Sequence, residues 1–406
     1  MKPGSGVSGH RAAVRTAPIA GTAGASSADE LATPPVRALR AYDPGHDLVA
    51  LRRRFAPGGL VELGSNENPC GPGPRARAAA AAALAGLHRY PDPLGGNLKR
   101  ALGAKHGVEP AKLILGNGSH ELLMQLAQAF AGPGVDVAMS QFGFAVYAIA
   151  ARTAGANLRV APALPCEARM PRGHDLAAIA AAITPATRLV YLANPNNPTG
   201  TWFAGDAFAA FLARVPEGTL VVVDEAYAET ADAADFASAL SLLPAHRNLV
   251  VTRTFSKAYA LAGLRVGYAI AHADVVTVLE RLRESFNVNS VALAVAEAAL
   301  GDDDWLRETL AANAAQREAL AAALRDRGWP VSPSQTNFLL VEFGGHTARI
   351  EQGLLERGVV LRPMRGYGLP QCSRISVGSA AENRALLAAL DEFASDTGCP
   401  VTEEQG

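Results

Sequence analysis

Leu249-Val250-Val251-Thr252-Arg253-Thr254-Phe255-Ser256-Lys257-Ala258-Tyr259-Ala260-Leu261-Ala262-Gly263-Leu264-Arg265-Val266-Gly267-Tyr268-Ala269-Ile270 reads as a buried strand, a polar connection and a second buried strand. The connection carries Lys257, one of five lysines among 406 residues; the others are Lys2, Lys99, Lys105 and Lys112. Basic charge elsewhere is almost all arginine, so a lysine here calls for a reason. A solvated surface lysine is the plain reading, but the apolar flanks place this one on a connection inside the core. A partly buried lysine can do what arginine cannot: lose its proton and attack a carbonyl to form a Schiff base. Hydroxyls stand just before it at Thr254 and Ser256, and Arg265 follows eight residues on. That set suits a dianionic phosphate beside an imine-forming amine.

Outward from this stretch, short apolar runs alternate with Ala-rich helical segments. Strands are expected at 112–115, 135–139, 158–161, 188–192, 220–223 and 249–252, with helices at 121–130, 144–154, 176–182 and 206–214. Strands apolar throughout, separated by helices, argue for an α/β domain whose mostly parallel sheet is covered on both faces. A short helical arm is expected over 34–55 and a short strand over 60–63. Three helices follow between 273 and 327. Beyond them, strands at 337–343, 359–362 and 373–377 with helices at 347–357 and 381–394 read as a smaller α+β domain, fraying after Ser395.

Composition narrows the function class. With 49% hydrophobic and 18% charged residues, the chain has room for two packed domains. A formal net charge of −1 gives no footprint for nucleic acid, and no apolar run approaches the ~20 residues of a spanning helix. Cys70, Cys166, Cys372 and Cys399 lack metal-ligand spacing and read as packing thiols in a reducing compartment. Residues 1–33 hold no acidic residue before Asp29 and no apolar targeting core, so a disordered tail is expected.

Four further motifs carry chemistry. Gly116-Asn117-Gly118-Ser119 follows a strand and opens a helix, where backbone N–H groups hold phosphate; the same residues also spell a plain capped turn. Asn194-Pro195-Asn196-Asn197-Pro198-Thr199-Gly200 is a stiff loop in which Asn197 can aim its amide at a ligand oxygen. Val221-Val222-Val223-Asp224 ends an apolar strand in a carboxylate, costly unless it meets a cation or caps a helix. A protonated pyridine nitrogen is such a cation, and Tyr227 can donate to the oxygen beside it. Ser373-Arg374-Ile375-Ser376-Val377 sets an arginine in a small-domain strand, and Arg362 repeats the pattern. Two guanidinium groups suit a dianion. Together with Lys257, the set suggests pyridoxal 5'-phosphate (PLP).

The combination resembles the fold-type I PLP-dependent aminotransferases, from about Tyr42 to Leu390, and within them the histidinol-phosphate subfamily. Ser65-Asn66-Glu67-Asn68-Pro69 and Arg89-Tyr90-Pro91 match its N-terminal signature. The resemblance implies a mostly parallel seven-stranded sheet in a large PLP-binding domain (65–285) and a smaller domain (286–406), preceded by an arm (34–64). It implies that Lys257 forms the Schiff base, that Asp224 faces the pyridine nitrogen and that Tyr227 and Asn197 face the ring oxygen. Gly118, Ser119, His120, Thr254, Ser256 and Arg265 would surround the cofactor phosphate, with Tyr90 arriving from the second subunit of a homodimer. Phe144 would stack on the ring. Tyr42, Asn66, Asn197, Arg362 and Arg374 would face the substrate. His120, Ala260, and Phe144 with Phe286, stand where the family often has Asp, Gly and Tyr.

The expected activity is a cytoplasmic ping-pong transamination, with Lys257 as acid and base and L-histidinol phosphate and 2-oxoglutarate as substrates. An aromatic amino-acid aminotransferase stays open, as does a decarboxylase of a phosphorylated amino acid. A non-catalytic PLP-binding regulator would need a DNA-binding module, and nothing before Asn66 is long or basic enough. A dinucleotide oxidoreductase would need Gly-x-Gly-x-x-Gly, which Gly116-Asn117-Gly118-Ser119-His120-Glu121 breaks.

Overall fold

The computed structural model describes residues 28–39, 46–57 and 59–397. Of the described residues, 28–38 belong to a unit of their own, in which α1 (Ala28–Leu31) and α2 (Pro34–Arg37) are single turns. The expected tail over 1–33 falls mostly outside the described residues. The second unit begins with α3 (Leu48–Arg54), β1 (Val61–Glu62), α4 (Pro74–Ala83) and α5 (Gly96–His106). The alternating region follows as β2 (Leu113–Gly116), α6 (Gly118–Phe130), β3 (Asp136–Ser140), α7 (Ala145–Thr153) and β4 (Asn157–Ala161). It continues with α8 (Leu176–Ala181), β5 (Thr187–Ala193), α9 (Gly205–Leu212), β6 (Leu220–Asp224), β7 (Leu249–Thr254) and β8 (Gly267–Ala271). Then come α10 (Ala273–Leu279), α11 (Ser290–Ala299), α12 (Asp303–Asp326), β9 (Phe338–Glu342) and α13 (Thr347–Glu356). The chain closes with β10 (Val359–Val360), β11 (Arg362–Pro363), β12 (Cys372–Ser376) and α14 (Ala380–Thr397).

Seven strands form one sheet in the order β2-β8-β7-β6-β5-β3-β4, and β8 alone runs against the others. The two-residue period of a strand splits its side chains between two cores. Leu189, Tyr191, Val222 and Val250 enter the core under α6 and α7, while Val190, Leu192, Val221, Val223 and Val251 enter the core under α8 and α9. Each such side chain, fully buried, stabilises by about 1.5–3 kcal/mol. This double burial explains why the strands read as unbroken apolar runs. The edge strand β4 is the exception, with Asn157, Arg159 and Val160 exposed.

A second, antiparallel sheet has the order β11-β12-β9, and β1 pairs in parallel with β10 beside it. Its core gathers Leu320 and Leu324 of α12 with Leu339, Val341, Ile350, Ile375 and Leu386. Val288, Ala292, Val295 and Ala296 pack with Leu113 and Tyr268 of the large sheet, Leu98 of α5 and Phe255 just after β7, so the change of partner falls within α12. Two thiols depart from expectation: Cys372 is buried, whereas Cys70 and Cys166 are exposed loop residues. Cys399 lies outside the described residues. The last helix runs to Thr397, past the fraying expected after Ser395.

Candidate active site

A cavity of about 390 Å³ opens at the carboxyl ends of the large sheet, where open α/β sheets bind ligands. Asp224 ends β6 and Thr254 ends β7, with Ser256 and Lys257 just after it; the first turn of α6 delivers Ser119 and His120, and the loop after β5 delivers Asn197. Phe144, Tyr227 and Arg265 complete the large-domain wall. Asn66, after β1, and Arg362 and Arg374, from the small sheet, close it. Three expected residues are not among the lining. Gly118 is buried beside the cavity with φ +76°, and a Cβ there would come 2.7 Å from Arg265 Nη2, so only glycine allows that approach. Tyr90 is 82% exposed outside the cavity of its own chain, stacked on Phe286 at 4.7 Å. Tyr42 lies outside the described residues.

Lys257 Nζ donates to the backbone carbonyls of Asn66 at 3.1 Å and Ser65 at 3.4 Å. Burial, helped by the positive charges of Arg374 and Arg265, pulls its pKa from 10.5 down to about 7. A large fraction of this amine is therefore neutral at physiological pH. Asp224 is 5% exposed and accepts from the Tyr147 and Thr252 hydroxyls, both at 3.1 Å. Burial raises its pKa from 3.8 to about 6 against those hydroxyls, which favour the anion. Such a carboxyl is ready to meet a cation brought by a ligand.

The Tyr227 hydroxyl accepts from Asn66 Nδ2 at 3.0 Å, which leaves its own proton free to donate. Burial pushes its pKa up to about 12, so that proton stays in place. Arg374 Nη1 donates to Asn197 Oδ1 at 2.7 Å and Nη2 to the Gly64 carbonyl at 2.9 Å. Arg362 lies directly across the ladder from Arg374, so β11 and β12 present two guanidinium groups at one end of the cavity. At the other end, Arg265 Nη1 reaches Ser256 Oγ at 3.3 Å beside Ser119 and the start of α6. There a helix N-terminus, hydroxyls and a guanidinium converge as an anion corner. Burial, reinforced by Arg265, pushes the His120 pKa down.

Six lining residues had not been picked out in sequence: His46, Leu48, Gly64, Tyr147, Ala193 and Tyr367. Tyr147 carried a usable signal, one helical turn beyond Phe144 and so on the same side of α7. Its ring stacks on Tyr191 at 4.9 Å and 4°, which aims the hydroxyl at Asp224. Leu48 opens α3 and Ala193 ends β5, while His46, Gly64 and Tyr367 sit in short segments with no periodicity to mark them.

This set can hold a cationic, phosphorylated heteroaromatic: the anion corner for phosphate, Asp224 for ring charge and Lys257 for a carbonyl carbon. The model of the aminotransferase class I and II family matches residues 59–390. Histidinol-phosphate aminotransferase 2 of Methylococcus capsulatus is 47% identical over 362 residues, covering 89% of this chain and 97% of that protein. The protein of the same name from Ralstonia nicotianae is 48% identical, covering 88% and 95%. The crystal structure of histidinol-phosphate aminotransferase from Sinorhizobium meliloti in complex with pyridoxal-5'-phosphate superposes with a TM-score of 0.79 at 32% identity, covering 90% and 97%. Aspartate aminotransferase from Thermus thermophilus with maleate shares the fold at a TM-score of 0.77 and 24% identity, covering 90% and 99%. By the extent of the family match and the identity to these relatives, the chain belongs to the class I and II aminotransferase family.

Proposed function

We propose that the protein is a PLP-dependent transaminase that passes the amino group of L-histidinol phosphate to 2-oxoglutarate. The observation that carries this reading is Lys257, an amine with a pKa of about 7 that shares a cavity with the buried Asp224. PLP, when bound, supplies an aldehyde carbon for amines and a protonated ring that accepts electron density.

The chain supplies the rest. Ser119, Thr254, Ser256 and Arg265 would hold the cofactor phosphate, with Gly118 allowing the close approach and His120 alongside. Asp224, steadied by Tyr147 and Thr252, would face the ring nitrogen and keep it protonated. Tyr227 and Asn197 would donate to the ring oxygen, and Phe144 would cover one ring face. Neutral Lys257 Nζ would take the proton from the substrate carbon that bears the nitrogen and, once charged, give it to the cofactor carbon C4' within the same half-reaction; the second half-reaction would run this transfer in reverse. Arg362 and Arg374 would grip the substrate phosphate, or a carboxylate of the keto acid. Asn66 and Tyr42 would complete the substrate side.

Exposed Leu84, Leu87, Tyr90, Leu94 and Phe286 support a homodimer in which Tyr90 reaches the partner's phosphate corner. Cofactor groups on large-sheet loops and substrate arginines on the small sheet support a two-domain division. No described helix is long and apolar enough to cross a membrane, and we assign the enzyme to the cytoplasm. The test compares kcat/KM for L-histidinol phosphate and phenylalanine, each with 2-oxoglutarate. Preference for the phosphate is expected; preference for phenylalanine overturns the substrate assignment.

A further inference from the structure

Asn66 joins the two sides of the cavity in a backbone conformation that side chains disfavour. Its φ is +54°, in the left-handed region that asparagine tolerates better than most residues. Its N–H donates to Ser376 Oγ at 2.8 Å, and its side-chain amide donates to the Tyr227 hydroxyl at 3.0 Å. Its carbonyl accepts from Lys257 Nζ at 3.1 Å and from Asn337 Nδ2 at 3.0 Å. The last two donors approach one oxygen from opposite sides of the molecule, Lys257 from the large sheet and Asn337 from the start of the small one.

Asn337 is 5% exposed, and its Nδ2 also reaches the Glu67 carbonyl at 3.3 Å. Two carbonyl acceptors settle which end of the amide is nitrogen. Oδ1 then points elsewhere, buried and without a hydrogen-bond partner. An orphaned buried acceptor lowers stability, and an apolar side chain would remove it. What the amide supplies is its pair of N–H donors; an apolar side chain would leave the Asn66 carbonyl to Lys257 alone and take this donor from the Glu67 carbonyl.

We infer that Asn337 is a positioning residue for Lys257, acting through the Asn66 carbonyl. A neutral amine has two N–H bonds and one lone pair. With the N–H bonds directed at Asn66 O and Ser65 O, the lone pair faces away from both carbonyls. Asn337 keeps the nearer carbonyl on target, so the small domain helps set the direction in which the amine takes up a proton. This inference rests on the transaminase reading, in which Lys257 Nζ moves that proton.

The test uses the PLP-loaded enzyme and its variants Asn337→Ala and Asn337→Asp. Both are expected to lower kcat by about 10- to 100-fold while KM for either substrate moves less than about threefold, because a misaimed reacting group costs rate rather than binding. Asn337→Asp adds a signature that a purely structural role lacks. Buried against carbonyls, its carboxyl has a raised pKa, and once protonated it donates to Asn66 O again. Its activity relative to wild type, taken at each pH so that the titration of Lys257 cancels, is expected to recover as pH falls. An unchanged kcat in Asn337→Ala overturns the inference, as does an Asn337→Asp variant equally deficient at every pH. Wild-type protein without a lysine-dependent PLP absorbance would instead defeat the transaminase reading itself.

Discussion

Two buried charge systems meet at the ends of β6 and β7, on opposite sides of the same strands. On the far side from the cavity, Glu225 is fully buried and accepts from Arg253 at 2.6 and 3.0 Å, from Ser238 and from the Ala239 N–H. Glu229 completes that cluster, 3.0 Å from the same guanidinium. On the cavity side, the adjacent Asp224 receives only neutral hydroxyl and backbone donors, and Lys257 donates only to carbonyls. Among the described residues neither forms an ion pair with the protein. The pKa values follow. Arg253 is driven further above its ordinary value by Glu229 and Glu225 against its own burial, whereas Asp224 and Lys257 are both pushed toward their neutral forms. One cluster is complete in itself and holds strands together. The other is left incomplete by the chain, and that incompleteness marks a site for a ligand.

The sharpest test of this contrast is Lys257→Ala. Turnover is expected to fall by about 10⁴-fold or more, with loss of the lysine-dependent PLP absorbance and no drop in melting temperature of the cofactor-free protein. Substantial residual turnover would break the assignment. Glu225→Ala should do the reverse, lowering unfolding free energy by about 3–5 kcal/mol, because Arg253 is left buried without its main partner. Thermal and denaturant unfolding would measure it. A melting temperature equal to wild type would erase the distinction between the two clusters.

Asp224→Asn should reduce kcat by about 10²–10³-fold through loss of the charge facing the ring. Its effect on the cofactor-free fold has the opposite sign. The folded protein holds the Asp224 proton up to about pH 6, against 3.8 for the ordinary carboxyl, so that protein loses stability as pH rises through this window. The asparagine variant should lack that component of the loss, which unfolding curves at pH 4 and pH 7 would show. Lys257 titrates at about pH 7, and only its neutral form attacks a carbonyl. Uptake of PLP by cofactor-free protein should therefore accelerate as pH rises through about 7, followed by absorbance. The smallest effect concerns Ala260, whose φ of +56° is one that glycine adopts freely. Ala260→Gly should raise stability by up to about 1 kcal/mol, read as a shift in unfolding midpoint.

Much of the sheet was legible because strands buried on both faces leave unbroken apolar runs, and the chemistry could be found at the ends of those runs. Lys257 stood out as a scarce residue type in an apolar setting, and Asp224 as a carboxylate closing Val221-Val222-Val223. Tyr147 was missed although it lies one turn past Phe144, because an aromatic on an apolar helix face reads as core. The thiols at Cys70 and Cys166 were misread because cysteine type alone does not report exposure. Which core each of α11 and α12 joins was not legible, since both are Ala-rich helices and only packing tells which sheet each covers.

What the sequence determined by itself was the alternation of strands and helices around the large sheet and the choice of side chains proposed to react, because periodicity and residue chemistry are local properties. The tertiary structure alone decided that Lys257, Asn337 and Ser376 converge on Asn66, that Arg362 faces Arg374 across a ladder and that Glu225 is satisfied while Asp224 is not. Those facts depend on pairings between segments up to 310 residues apart, which no local pattern encodes.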